Sequence, residues 1–530
     1  MKKIKSIILG ALAVVALAGC SDDQYTSIYD DPGQTTKVTC ARLMTGTFFD
    51  KDGRDYSFNA YWRVYTWDNI FGKYAQTCGY KNNSGGVYYY NDGYANDRWN
   101  AFYKRLAQFR NLEDVYSKES EADQANDIIY KNLAEVFILD HLAQLCDLWG
   151  DIPFFEAGKL GVTGDVAGSR PAFDDDVELY RHMISRLGEL YNEIVAFTPS
   201  KLVSQTLKAQ DYICKGDLDM WARYANSLRL RIATTVALKG DLTSTAQAAI
   251  KECVSRKLIE TQDAQIELIS DMDGFKFWEN FRDGYKDINN VASQPMIDAM
   301  QKTGGYDPRL QVMYVKNKDG EYVGTNRTET NQFQTEHGSG FNGFGNLSWE
   351  ERYYSHLDSA TFTDNRLFVS PVITAAEVQF LLAEAYQRGW ASGNAQQAFI
   401  KGIVESTKFY YRQNNTYPGA RGNHYKCPAD ANIQAYATAL WGAYSDKLDA
   451  ILTQKWVNFG IIQPAQAWTN IRRTGYPALS YPTDTQAQNM KELPNRMMYP
   501  NTEKANNRAN YDAVVAAQGD DAYIKLFWAK

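Results

Sequence analysis

Residues 134–155 read AEVFILDHLAQLCDLWGDIPFF, and their pattern decides the fold. Leu133, Val136 and Phe137 open an apolar pattern, and Ile138, Leu142, Leu145 and Trp149 continue it at steps of four, three and four. Such steps keep side chains on one side of a 3.6-residue helix, so the stretch predicts a long helix with a buried stripe. Gly150-Asp151-Ile152-Pro153 ends it, because proline has no N–H to continue the ladder. His141 sits between stripe positions and reads as a structural histidine, and Cys146 reads as a buried thiol.

The same spacing recurs downstream. Residues 175–197 carry Val177, Tyr180, Ile184, Leu187 and Tyr191. The next helix carries Leu218, Trp221, Ala222, Ala225, Leu228 and Ile232, with Arg223, Arg229 and Arg231 elsewhere on it. A shorter helix over about 243–257, containing Cys253, follows the turn at Gly240-Asp241. From Thr374, Val378, Leu381, Leu382 and Ala385 form an i, i+3, i+4, i+7 face, with Glu384 four residues before Arg388. A tight connection over 389–394 leads into a partner helix bearing Ala395, Ala398, Phe399 and Ile403. Two such helices on a short loop make an αα-hairpin, the unit of tetratricopeptide-like stacks, although no strict repeat of fixed period is visible. A further helix is expected over about 444–459, and the tail with Pro482, Pro494 and Pro500 reads as mostly irregular. The expected fold class is all-α, a helical-hairpin core with long irregular loops.

The amino terminus carries an address. Lys2, Lys3 and Lys5 precede an apolar run, Ile7 through Ala18, only about half the length needed to span a bilayer. Basic residues, a short apolar region and small residues before a cleavage point make an export signal. Leu17-Ala18-Gly19-Cys20 resembles a bacterial lipobox, in which cleavage leaves Cys20 first and lipidated. Ser21-Asp22-Asp23 resembles the short acidic tag that sends lipoproteins of Bacteroidetes-type bacteria to the outer face of the outer membrane. Several acyl chains, at about 0.8 kcal/mol per buried methylene, make such an anchor effectively permanent. The expected organisation is a signal over 1–19, a lipidated tether over 20–45 and one helical domain over 46–530.

Charge and motif content narrow the function. The formal net charge is −7, and removing the leader's lysines makes the body more acidic still, which argues against nucleic acid as a partner. The seven cysteines contain no C-x-x-C pair, so zinc and thioredoxin-like chemistry are not indicated. None of the five histidines forms H-E-x-x-H, and no G-x-S-x-G elbow occurs. Residues 338–343 match G-x-G-x-x-G but have neither the preceding strand nor the following helix of a phosphate cradle. Asp271 and Asp273 open a calcium-loop pattern that lacks its closing glutamate. No cofactor is expected.

Several separated stretches together resemble the SusD/RagB family of outer-membrane nutrient-uptake lipoproteins. They are the helix and Gly-Asp-Ile-Pro-Phe turn of 134–155, WARYANSLRLRIA at 221–233, and ITAAEVQFLLAEAYQRG at 373–389. Lys455-Trp456 followed by AWTNIRRTGYPAL at 467–479, and RMMYPNTE at 496–503, complete the set. The resemblance implies an all-helical body that sits as a lid on a SusC-like, TonB-dependent outer-membrane transporter. It implies capture of oligosaccharides, or in some members peptides, without catalysis. The shared motifs are structural and carry no ligand residues across; Arg472 and Arg473 read as fold or interface residues.

A sugar offers apolar C–H faces to flat rings, and a rim of hydroxyls that amides, carboxylates or guanidinium must satisfy. Aromatics make up 14% of the chain, and two loop-rich regions, 62–99 and 275–349, mix them with amides. Trp67, Trp278, Tyr285 and Trp349 are the expected stacking surfaces, with Asn326 or Asn346 nearby. Each also fits a core position. The competing readings are a peptide-capturing receptor and a surface glycoside hydrolase, since carboxylate pairs at roughly 5–10 Å cannot be read from sequence.

Overall fold

The computed structural model describes residues 38–48, 70–79, 86–88, 90, 92–269, 291–326 and 353–529. Its first half is a set of packed helices: α1 (Cys40–Phe48), α2 (Asp92–Ser117), α3 (Glu121–Trp149), α4 (Asp176–Ala196), α5 (Lys201–Gln210), α6 (Leu218–Val236) and α7 (Thr243–Val254). A short helix α8 (Gln294–Met300) stands in an irregular middle section. The second half holds α9 (Ala375–Gln387), α10 (Ala395–Thr416), α11 (Asp430–Ala443), α12 (Lys447–Phe459) and α13 (Pro464–Thr474). Two tail helices, α14 (Asn501–Asn506) and α15 (Arg508–Gln518), follow.

The stripes account for the packing. In α3 the predicted set Leu133, Val136, Phe137, Ile138, Leu142, Leu145 and Trp149 is buried, and so are Cys146 and His141. Ser120 caps its start, its hydroxyl accepting from the Asp123 N–H at 3.3 Å, and the Gly150 N–H donates to the Cys146 carbonyl at 3.0 Å. Burial, then the cations Arg105 and Arg98, push the His141 imidazole well below its usual range, so it stays neutral as a core residue. Thr374 and Asn394 cap the two helices of the hairpin, each accepting from the third N–H beyond it. Such caps contribute about 1 kcal/mol each. α9 lies against α10 and α12, α10 against α11, and α12 against α13, a run of packed helical pairs. α6 packs on α4 and α7 in the first half and reaches α9 in the second.

Buried ion pairs lock that junction. The Arg231 guanidinium on α6 donates to both oxygens of Glu377 on α9, each at 2.7 Å, and to the Val372 carbonyl at 2.7 Å. Arg473 on α13 donates to both oxygens of Glu384 on α9, again each at 2.7 Å, and Arg388 adds a third bond at 2.8 Å. Arg472 lies over the rings of Trp468 and Trp528, at 3.7 and 5.0 Å from their centroids. Both arginines are thus fold residues.

The sequence reading needs correction in three places. The tail is mostly irregular, as expected, but it also holds the helices α14 and α15. They escaped notice because α14 buries no residue and α15 only Val514, so no stripe exists. α2 and α13 were not read as helices, although α2 buries Ala95, Trp99, Phe102, Leu106 and Phe109 at steps of four, three, four and three. Among the described residues the strands form two antiparallel pairs, β1 (Ile266–Ile269) with β4 (Val369–Ile373) and β2 (Tyr314–Val315) with β3 (His356–Leu357), beside isolated bridges such as Ser293↔Thr325.

Candidate functional site

The irregular middle section carries the candidate site. Four chain segments weave together there. The Gly79 N–H donates to the Val291 carbonyl at 2.7 Å, the Thr325 N–H to Ala292 at 2.9 Å, and the Ala292 N–H to Ser355 at 2.8 Å. The approach is close enough to demand glycine. A Cβ on Gly79 would lie 2.3 Å from the Ala292 carbonyl oxygen, and one on Gly324 would lie 2.3 Å from the Gln294 nitrogen. β2 and β3 continue this weave with the pairs Tyr314↔Leu357 and Val315↔His356.

On this frame stands a cluster of tyrosines. Tyr306 is 59% exposed and meets Tyr322 edge to face at 5.4 Å between centroids. The Lys316 ammonium lies 5.8 Å from the Tyr306 centroid and 5.6 Å from that of Tyr322, a cation–π arrangement. Tyr353 is 37% exposed and has the Lys318 ammonium 5.4 Å from its ring centre. Burial, with Tyr425 and Tyr306 beside it, raises the Tyr322 hydroxyl to about 12, so it stays a neutral donor.

The exposed rings are rigidly based. Tyr306 precedes Asp307, which is 1% exposed and bound by Arg309 through bonds of 2.9 and 2.6 Å; Tyr436 donates to the same carboxylate at 3.0 Å. Arg309 also donates to Ser406 on α10 at 3.0 Å, fixing the loop to the hairpin. Asn317 organises the turn before Tyr322. Its side-chain oxygen accepts from the Asp319 and Glu321 N–H groups at 3.0 and 2.9 Å, and its amide donates to the Tyr353 carbonyl at 3.1 Å. The neighbouring carboxylate, Asp358, is raised to about 6 by burial, against bonds from Thr361 and Asn414. Rings held on fixed backbone lose little freedom when a flat ligand covers them.

Of the expected ligand residues only Asn326 lies within the described residues. It is half-buried, directly after Thr325 of the weave and four residues beyond Tyr322. Trp67, Trp278, Tyr285, Asn346 and Trp349 lie outside the described residues, as do Asp271, Asp273 and Cys20. Tyr322, Tyr353 and Lys316 were missed. Their signal was a tyrosine on each flank of the Asn-Lys-Asp-Gly turn at 317–320, facing the Gly-Gly-Tyr-Asp-Pro of 304–308.

Among the described residues one set of three metal-capable groups converges, Cys40, Glu119 and Asp127, with ligand atoms within 4.8 Å. The Cys40 thiol donates to Glu119 at 3.3 Å. Burial and the Glu119 carboxylate push the thiol well up, and burial with Glu119 raises Asp127 to about 6. No helix among the described residues is long and apolar enough to cross a membrane.

A helical-hairpin body that fixes exposed rings and amides on short irregular segments is a ligand-binding scaffold. The chain belongs to the SusD-like family, described as starch-binding associating with outer membrane, whose model matches residues 37–500. Solved structures agree on the fold. A chitin-binding protein superposes with a TM-score of 0.71 at 23% identity, covering 93% of this chain and 100% of its own. A SusD homolog from Bacteroides fragilis gives 0.69 at 20% identity, with 93% and 100% covered. A chitin-binding SusD homolog from Flavobacterium johnsoniae gives 0.62 at 20% identity, with 92% and 97% covered. No curated protein matches the chain. The tetratricopeptide-like helical fold expected from the sequence is the one observed.

Proposed function

We propose that this chain is a surface lipoprotein, anchored through Cys20, that captures oligosaccharides and hands them to a SusC-like TonB-dependent transporter. The observation that carries the reading is the Tyr306–Tyr322 pair with Lys316, its exposed Tyr306 based on the buried Asp307–Arg309 ion pair. Tyrosine rings cover the apolar faces of a pyranose, and the hydroxyls, lysines and Asn326 replace the water lost from its rim. The family's starch-binding description and the chitin-binding names of two structural relatives support a glycan as ligand.

The reading is one of binding without bond cleavage. A glycosidase needs two carboxyl groups free to face one bond. Asp307 is instead consumed by Arg309 and Tyr436, and Asp358 by Thr361 and Asn414. Calorimetry with maltohexaose and chitohexaose, on the wild type and on Tyr306→Ala/Tyr322→Ala, tests the assignment. The double variant should weaken binding by about tenfold, on the order of 1.4 kcal/mol. Unchanged affinity would remove the tyrosine face, and binding to a peptide pool but to no glycan would replace the ligand class.

A further inference from the structure

A second open cleft, of about 840 Å³, shares no residue with the tyrosine face. That volume is within the range of small-ligand sites. Its floor is Tyr88, Met490 and Ala522, all buried. Its rim carries the half-buried Tyr90 and the exposed Tyr523, Gln486, Gln488, Asn489 and Asp521.

The cleft is built rather than accidental. Asp484 is fully buried; its carboxylate accepts from the Val87 and Gln486 N–H groups, each at 3.2 Å, and its own N–H donates to the Lys491 carbonyl at 2.7 Å. The Tyr88 hydroxyl donates to the Pro482 carbonyl at 2.5 Å. Across the cleft the Ala522 carbonyl accepts from the Asn495 and Arg496 N–H groups at 2.7 and 3.1 Å. Both walls are therefore fixed by their own hydrogen bonds. The side-chain amides of Gln486, Gln488 and Asn489 make no hydrogen bond to any described residue. They stand ready as donors and acceptors beside the ring of Tyr523.

Charge selects among ligands. Among the described residues the lining holds Asp520 and Asp521 and no lysine, arginine or histidine. Asp520 is occupied by the Tyr499 N–H, the Tyr511 hydroxyl and Lys504, but Asp521 accepts only the Tyr523 N–H, at 2.8 Å. An anionic ligand would meet this carboxylate, while the nearby Lys504 is already paired with Asp520.

We propose that this cleft is a second saccharide site that takes neutral sugar residues and rejects uronate or sulfated ones. The proposal rests on the reading of the chain as a glycan receptor. The tyrosine face differs in holding the Lys316 ammonium against its rings, while Lys318 there is paired with Asp319.

Affinity electrophoresis of the full chain in gels cast with starch, glycol chitin, xylan or polygalacturonate tests it. The variants are Gln488→Ala/Asn489→Ala and, for the other face, Tyr306→Ala/Tyr322→Ala. Residues 488 and 489 are exposed, and an unchanged melting midpoint verifies folding. For the neutral polysaccharide that retards the wild type, the cleft variant should bind about fivefold more weakly, the loss expected of one or two hydrogen bonds. Its behaviour in polygalacturonate should be unchanged. Wild-type retardation by the cleft variant in every neutral gel would overturn the second site alone, as would a loss confined to polygalacturonate. A wild type retarded by no polysaccharide would overturn the glycan reading as well.

Discussion

Replacing Glu384 by glutamine tests how the hairpin is held to α13. The change keeps the shape and removes the charge. In the wild type this carboxylate is fully buried, accepts both Arg473 bonds at 2.7 Å and the Arg388 bond at 2.8 Å, and faces Lys455. Burial alone would raise its pKa, yet Arg473, Lys455 and Arg388 pull it down to about 2. The variant leaves Arg473 charged, 2% exposed at its side chain, with no carboxylate opposite. Breaking one side of a buried pair costs about 3–5 kcal/mol. A chain of 530 residues, at about 2.1 cal/mol/K per residue, unfolds with an entropy near 1.1 kcal/mol/K, so the melting midpoint should fall by about 3–5 °C. Scanning calorimetry at pH 7 reads this. The pH dependence has a fixed sign. A depressed carboxylate stabilises fully above its unfolded value of 4.5 and loses that contribution as pH falls toward about 2. The gap between wild type and variant should therefore narrow in acid. Replacing both partners, with Glu384→Leu and Arg473→Met, should restore much of the loss. A single variant melting within about 1 °C of wild type at pH 7 would refute the reasoning.

Other outcomes follow from the same geometry. Burial, then Arg473, lowers Lys455 to about 8 from 10.5, against Glu384 and Glu377. A depressed base destabilises fully below about 8 and not at all above 10.5, so wild-type stability should gain from this group across that window. Lys455→Met should accordingly melt no lower than wild type at pH 7, and up to about 3 kcal/mol more stable; a lower midpoint would contradict the assignment. Gly79→Ala drives a Cβ to 2.3 Å from the Ala292 oxygen and 2.5 Å from the Thr325 hydroxyl. It should cost about 1–3 kcal/mol and speed amide exchange at Ala292 and Thr325; unchanged exchange would show that the weave does not depend on that approach. Asp307→Asn should leave Arg309 buried without its carboxylate, lower the melting midpoint, and weaken saccharide binding through Tyr306 without touching the ring itself. Normal affinity in that variant would mean that the ring does not need its rigid base.

The helical body was legible because burial there is periodic. α3, α4, α6, α9 and α10 carry stripes wide enough to be counted, and the caps Thr374 and Asn394 sit just before the stripes of the hairpin. Helices α14 and α15 were illegible because they bury only Val514 between them, so no apolar stripe repeats along them. The candidate binding surface was legible only as a region. Its central ring pair joins residues 306 and 322, which meet through the fold of the irregular section and not by any spacing along the chain. Tryptophans drew attention because they stand out in loops, whereas the tyrosines that the structure groups were too numerous, 36 in all, to single out. The glycines that permit the weave, Gly79 and Gly324, sit in stretches already dense with glycine, and only the facing backbone shows why they are needed.

Saccharide binding at the tyrosine face is tested most directly by titrating the folded chain with maltohexaose and chitohexaose while following the side-chain resonances of Tyr306 and Tyr322. Ring-current shifts at both, saturating together with the calorimetric isotherm and absent from the Tyr306→Ala/Tyr322→Ala variant, are the expected result. Saturable saccharide binding that leaves both rings unperturbed, or its persistence at full strength in the variant, would contradict it.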